Sequence, residues 1–192
     1  MHRIALVLSL LFLAACTTET EGLLLTPLPA KPQPAAEGLQ DGLAVSYYYG
    51  TFDNIRDLEG SMRYKDGATG TAIETLSHHM DKGRVLTSES EDFVGAHISG
   101  YLHLEAPGTY RFQVTNNDGV RLHLGGARIY DDPRTGPART SAPIPVDVTD
   151  PGWYVIEIWY FEKRGSATLE ILWSPPGGGA LVDVPAAAMK HQ

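Results

Sequence analysis

The residues best suited to chemistry lie in the segment 116–119, whose side chains are rich in oxygen. Asn116, Asn117 and Asp118 are consecutive there, and Gly119 follows them. Amide and carboxylate oxygens can hold a hard cation such as calcium, or accept hydrogen bonds from sugar hydroxyls. The same residues favour an ordinary turn, because Asn and Asp bond to their own backbone. The segment therefore has three interpretations: a calcium site, a calcium-free polar binding site and a plain turn.

Other clusters of reactive side chains predict neither a metal centre nor a catalytic site. His97 and His103 are six positions apart on one expected strand, which is about 20 Å and too far for one ion. His78 and His79 lie in an irregular segment. The sequence contains no Gly-x-Ser-x-Gly turn, phosphate-binding glycine loop or His-Glu-x-x-His helix. We therefore predict that the protein is not an enzyme.

Strands must position the oxygen-rich segment, because apolar and polar residues alternate on both sides of it. Alternation with period two is typical of strands with one buried face, so the segment is expected at the tip of a hairpin. A later strand over residues 153–162 should bury Tyr154, and the last strand should bury Trp173. Many short strands, with no helical period in residues 53–92, predict an all-β antiparallel sandwich.

The first sixteen residues have the pattern of an exported protein. A basic start at Arg3 precedes the apolar run of residues 4–12 and the sequence Leu-Ala-Ala-Cys of residues 13–16. The run is too short to span a bilayer, which needs about 20 apolar residues, so it predicts a signal peptide. The last four residues resemble the bacterial lipobox, which implies cleavage before Cys16, a diacylglycerol thioether on its sulfur and an acylated amine. An ordinary signal peptide with an incidental cysteine is the alternative.

Composition constrains the remainder of the chain. Residues 16–39 are rich in proline and predict an extended spacer. Cys16 is the only cysteine, so no disulfide is expected and the core alone must stabilise the domain. The net charge of -8 argues against nucleic acid or anionic lipid headgroups as partners. The resemblance to the lipobox further implies the outer membrane, because enteric-type sorting favours it where the residue after the cysteine is not aspartate, and that residue here is Thr17.

Short motifs in a particular order point to one family. They are Tyr47-Tyr48, Ser99-Gly100-Tyr101-Leu102, Pro107-Gly108-Thr109-Tyr110-Arg111-Phe112, Asn117-Asp118-Gly119-Val120-Arg121-Leu122, Ile156-Glu157-Ile158-Trp159-Tyr160-Phe161-Glu162 and Ala167-Thr168-Leu169-Glu170-Ile171-Leu172-Trp173-Ser174. Together they resemble the protective-antigen-type (PA-fourteen) domain over about residues 42–188. The resemblance implies a β-sandwich and carbohydrate binding, in some members through calcium.

The resemblance also indicates which residues to compare with the calcium-dependent lectins of the family. Two adjacent aspartates bind the ion in those lectins, and the matching pair here is Asn117 and Asp118. An asparagine from a second loop contributes there, and the matching residue here is Lys163, whose ammonium has no lone pair to donate. These departures disfavour calcium, so we predict no metal and no cofactor. Lys163 is a candidate ion-pair partner for Asp118.

These observations predict a lipid-anchored, non-catalytic protein of the cell envelope whose β-sandwich binds carbohydrate. The candidate binding residues are Asn116, Asn117, Asp118, Arg121, Glu162 and Lys163. A structural or protein-interaction lipoprotein without a sugar ligand is the alternative. The expected organisation is a signal peptide over residues 1–15, lipidated Cys16 with a linker over residues 16–39, the sandwich over residues 40–188 and a tail over residues 189–192.

Overall fold

The computed structural model describes residue 34 and residues 38–192. The predicted signal peptide, Cys16 and most of the linker lie outside these residues. In chain order the elements are β1 (Gln40–Asp41), β2 (Ala44–Tyr49), α1 (Ile55–Tyr64), β3 (Ala68–Thr69), β4 (Ser77–Met80), β5 (Val94–Leu104), β6 (Gly108–Asn117), β7 (Gly119–Leu124), β8 (Ala127–Asp132), β9 (Arg139–Thr140), β10 (Ile144–Val148), β11 (Gly152–Glu162), β12 (Ala167–Ser174), β13 (Val182–Asp183), a 3-10 helix (Ala186–Ala188) and β14 (Met189–His191). No helix of the described part of the chain has the length and apolar character needed to cross a membrane.

The strands form two antiparallel sheets. The eight-stranded sheet has the order β1-β14-β5-β11-β7-β8, with β2 pairing to β5 and β3 pairing to β2. The six-stranded sheet has the order β10-β6-β12-β13, with β4 beside β12 and β9 beside β6. The predicted all-β antiparallel sandwich is therefore confirmed.

The core lies between the sheets and follows the alternation of the strands. On β11 the inward side chains are Tyr154, Ile156, Ile158 and Tyr160, and all four are buried. Tyr154 and Trp173 are only 4% and 5% exposed, which confirms their predicted burial. A large apolar side chain that leaves water on folding contributes roughly 1.5–3 kcal/mol, so these strand faces hold the sheets together.

The sequence does not predict helix α1, because residues 53–92 show no helical period and the segment contains Gly60. Its start has the residues of a capping box: the Asn54 side chain accepts from the backbone N–H of Arg56, and Asp57 accepts from the backbone of Asn54. Ile55 and Leu58 are fully buried against the outer face of the eight-stranded sheet. A single glycine costs a helix only about 1 kcal/mol, so this packing outweighs it.

The segment between β6 and β7 is an arch and not the tip of a hairpin. Strand β6 pairs with strands of the six-stranded sheet and β7 with strands of the eight-stranded sheet. Both strands direct apolar side chains into the same interior, which places them on opposite sides of the core. Gly119 begins β7 under the ring of Phe161, where an added Cβ would lie 2.3 Å from a ring carbon. Because the arch crosses from one sheet to the other, Asp118 lies between the two sheets.

Candidate functional site

A polar cleft of about 630 Å³ opens at the end of the sandwich where β8 ends. Its lining comprises Asp53, Asn54, Asp132, Arg139 and residues 134–137. Asp53 and Asn54 precede α1. Asp132 ends β8, Arg139 begins β9, and residues 134–137 lie between these two strands. The cleft therefore lies between the residues that precede α1 and the connection from β8 to β9.

Asp118 connects three backbone segments at this end of the molecule. Its Oδ1 accepts a hydrogen bond of 2.8 Å from the N–H of Gly136, and its Oδ2 accepts one of 2.9 Å from the N–H of Lys163. The peptide bond between Asn117 and Asp118 is cis. The Tyr160 hydroxyl donates to the carbonyl oxygen of Asn117 at 2.5 Å. The Asp118 carboxylate thus serves as an internal anchor that joins the wall of the cleft to the loop after β11.

Asn116 acts inside the protein as well. Its side chain is fully buried, and its Nδ2 donates to the carbonyl oxygen of Asp118 at 2.7 Å and to Asp132 at 3.0 Å. The Arg139 guanidinium forms an ion pair with the same Asp132 carboxylate and donates to the carbonyl oxygen of Asp118 at 3.3 Å. Asn116 therefore stabilises the arch, whereas Asp132 and Arg139 extend the network to the cleft.

Two further acidic side chains face the loop that follows β11. Asp92 accepts a hydrogen bond of 2.9 Å from the N–H of Gly165. Glu162 is fully buried, and among residues 34 and 38–192 neither of its carboxylate oxygens has a partner that meets hydrogen-bond geometry. Its pKa is raised to about 8, chiefly by burial and further by the charges of Asp118 and Asp92, with a weak opposing effect from the backbone N–H of Arg164. Glu162 is therefore neutral at pH 7, and it is a core residue and not a ligand-facing one.

Lys163 contacts a different carboxylate from the one suggested by the sequence. Its ammonium lies 2.5 Å from Oδ1 of Asp53, just before α1, and only its backbone N–H reaches Asp118. The reason is geometric, because Asp118 is covered by backbone donors and Asp53 is 67% exposed. Lys163 thereby links the loop after β11 to the entry of the helix.

Arg121 lies away from the cleft, although the sequence suggested a position near the arch. It forms ion pairs with Asp131 at 2.9 Å and with Glu59 of α1 at 3.0 Å, and its guanidinium lies 5.5 Å from the ring centre of Trp159. Alternation explains this position: Arg121 points outward from β7, whereas Val120 and Leu122 point into the core. Arg121 holds α1 on the sheet.

Phe93 has a strained backbone conformation and contacts the loop after β11. Phe93 has a φ of 59°, a left-handed conformation that a bulky side chain adopts at a cost of order 1–3 kcal/mol. Its backbone N–H donates to the carbonyl oxygen of Lys163 at 3.1 Å, and its ring lies 5.2 Å from the Arg164 guanidinium. The surrounding contacts thus hold this loop in a defined position.

Several cleft residues gave no recognisable signal in the sequence. Asp53 and Asn54 precede an unpredicted helix, Arg134 lies in the irregular connection after β8, and Arg139 begins the two-residue strand β9. The capping pattern of Asn54 with Asp57 was the one available indication that a helix begins there. The remaining residues come together only through the fold, since about eighty positions separate Asn54 from Arg134.

The donor set at this end of the sandwich does not suit calcium. Calcium takes 6–8 oxygen ligands, usually with several carboxylates. Both oxygens of Asp118 already accept backbone N–H groups, Asn117 carries no charge, and the Lys163 ammonium would repel a cation. Within residues 34 and 38–192, no group of three or more His, Cys, Asp or Glu side chains is arranged to hold a metal ion.

We expect the chelator-treated chain to show no saturable calcium binding in the range of roughly 10⁻⁷–10⁻⁵ M that calcium sensors cover. The physical reason is that an ion would have to displace two backbone donors from Asp118. Titration calorimetry is the direct measurement. A saturable micromolar isotherm that disappears in Asp118→Ala would contradict this prediction.

Comparisons with known proteins identify this architecture. The chain is similar to the PA14 domain of the MpAFP antifreeze protein (22% identity, TM-score 0.68, covering 84% of this chain and 96% of that chain). It is similar to the PA14 sugar-binding domain from an RTX adhesin (20% identity, TM-score 0.66, covering 79% and 99%). It also resembles the Epithelial Adhesin 9 A domain from Candida glabrata, solved in complex with Galβ1-4GlcNAc (12% identity, TM-score 0.67, covering 86% and 95%).

The sequence itself provides the family assignment. No curated protein matches the chain significantly. The family model described as the PA14 domain matches residues 39–186, which is most of the chain and every strand of both sheets except β14. The sandwich, the arch and this match lead to one conclusion: the chain belongs to the PA14 domain family.

Proposed function

We propose that this protein is a non-catalytic carbohydrate-binding PA14 domain, held at the bacterial cell envelope by a lipid on Cys16. The observation that carries the proposal is the polar cleft, whose walls are fixed to the arch through Asp118 and to the loop after β11 through Lys163. Fixed walls reduce the conformational entropy that a ligand must overcome on binding. The volume of the cleft, about 630 Å³, suits a small saccharide.

Two of the similar structures support carbohydrate as the ligand class. One is a PA14 domain described as sugar-binding, and the other is solved with a galactose-containing disaccharide. Their sequence identity to this chain is low, so the sugar that this chain prefers must be inferred from the residues of its own cleft. The Thr135 hydroxyl and the Asn54 side-chain amide lie on the walls of the cleft, where they can form hydrogen bonds with sugar hydroxyls.

A glycan array probed with the full chain tests the proposal. We expect binding to at least one saccharide, and we expect Thr135→Trp to abolish it by filling the cleft. The matched control is Thr149→Trp, which adds the same bulk to an exposed position just before the start of β11, at the opposite end of the strand from Glu162. Absence of any bound glycan would overturn the proposal and favour the protein-interaction alternative.

The proposed anchor makes a separate prediction. Cys16→Ser should leave the precursor uncleaved and without lipid, because the thiol accepts the diacylglycerol. Mass spectrometry of the chain and its partition between membrane and soluble fractions measure both effects. A Thr18→Ser control should behave like the natural chain. Normal mature mass and membrane partition in Cys16→Ser would refute the lipoprotein assignment.

A further inference from the structure

The charges around the cleft are mostly neutralised within the protein. The Asp53 carboxylate pairs with Lys163, and the Asp132 carboxylate pairs with Arg139. Arg139 uses its remaining donors on the carbonyl oxygens of Pro137 at 3.0 Å and Arg134 at 2.7 Å. The charges of these acids and cations are therefore balanced within the protein.

Arg134 is the exception among the charged residues that line the cleft. Its side chain is exposed, and no hydrogen bond or ion pair of its guanidinium occurs within the described part of the chain. Its backbone is nevertheless held in place, because its carbonyl oxygen accepts from Arg139 and its main chain bridges to Asn54. Among the residues that the structure describes, the cleft thus presents one unpaired positive charge, and it lies on a fixed stretch of backbone.

A guanidinium and a calcium ion recognise different features of a sugar. A bound calcium ion can coordinate a pair of neutral hydroxyls, whereas the planar fork of an arginine matches a carboxylate with two parallel hydrogen bonds. The donor set here does not suit calcium, and the charge that it presents to a ligand is the Arg134 guanidinium. Neighbouring Thr135 and Asn54 can bond to ring hydroxyls.

We propose that this cleft selects saccharides that carry a carboxylate, such as uronic acids, and that Arg134 is the residue that distinguishes them from neutral sugars. The inference rests on the proposed carbohydrate-binding function and adds the class of sugar. The carboxylate would pair with the guanidinium of Arg134, and the ring would lie over the wall formed by residues 134–137.

Matched pairs of monosaccharides test this inference. Glucuronic acid and glucose differ only at C6, as do galacturonic acid and galactose. Ligand-observed NMR titration of the full chain at low salt should give about three- to fivefold tighter binding of each acid, the upper part of the range expected for one charge-assisted pair at an exposed site. The preference should diminish in 0.5 M salt, because screening weakens an exposed ion pair.

Two variants connect the preference to one residue. Arg134→Gln should bring acidic and neutral sugars to within twofold, and it preserves the carbonyl oxygen that Arg139 uses. The control is Arg63→Gln. Arg63 is exposed and lies at the end of α1 opposite Asn54, so this variant should retain the full preference. Equal binding of acidic and neutral sugars to the natural chain, or a preference that survives in Arg134→Gln, would overturn the inference and leave the proposed function standing. Failure of all sugars, here and on the array, would refute the proposed function itself.

Discussion

Replacing Trp173 by alanine should reduce the free energy of unfolding by about 3–5 kcal/mol, as for other large aromatic residues in cores. Trp173 is 5% exposed near the end of β12, with its ring centre 5.6 Å from that of Tyr110 and 6.4 Å from that of Phe112. Truncation would remove the apolar burial and both ring contacts, and it would leave a cavity between the sheets. Domains of this size have a total stability of about 5–15 kcal/mol, so the loss would be a large part of it.

Urea unfolding measures this loss, and an exposed aromatic residue provides the control. Tyr64 is 87% exposed at the end of α1, so Tyr64→Ala should change the free energy of unfolding by less than about 0.5 kcal/mol. Tyr154→Ala, in the opposite sheet, should cost about as much as Trp173→Ala. A loss below about 1 kcal/mol for Trp173→Ala would place its ring at the surface and invalidate the assignment of strand faces.

The strand faces could be predicted from the sequence because burial imposes a local pattern. On β11 each inward residue is separated from the next by one outward residue, and the pattern continues without interruption from Tyr154 to Tyr160. No distant residue is needed to recognise it. The same local rule explains why the fold class was predictable before any contact between strands was known.

Features that depend on distant partners could not be predicted in the same way. Alternation on both sides of residues 116–119 is equally compatible with a hairpin and with an arch, and only the pairing of β6 with β12 decides between them. Lys163 could not be assigned to Asp53, because the two residues are 110 positions apart. The cleft could not be predicted for the same reason, because its walls come from segments that meet only in the folded chain.

Glu162→Gln should stabilise the protein at alkaline pH and have little effect near pH 4.5. The pKa of Glu162 is about 8 in the folded protein, raised mainly by burial, against 4.5 for an exposed glutamate. Between these two values the folded state binds a proton that the unfolded chain has released, so the stability that depends on this group is present below pH 4.5 and is lost as pH rises through 8. Glutamine has nearly the same shape and cannot ionise.

The advantage of the glutamine variant over the natural chain should therefore grow with pH, by up to about 4 kcal/mol between pH 4.5 and pH 9. Urea unfolding of both proteins across this range gives the difference directly, and contributions from titrating groups that do not interact with Glu162 cancel in it. The control is Glu74→Gln, the same substitution at an exposed glutamate. A flat difference for Glu162→Gln would mean that its carboxylate finds a partner or water on ionisation. Growth of the difference with pH would instead establish that a neutral acid lies beneath the loop after β11, beside the carboxylates of Asp92 and Asp118, which already disfavour a third negative charge there.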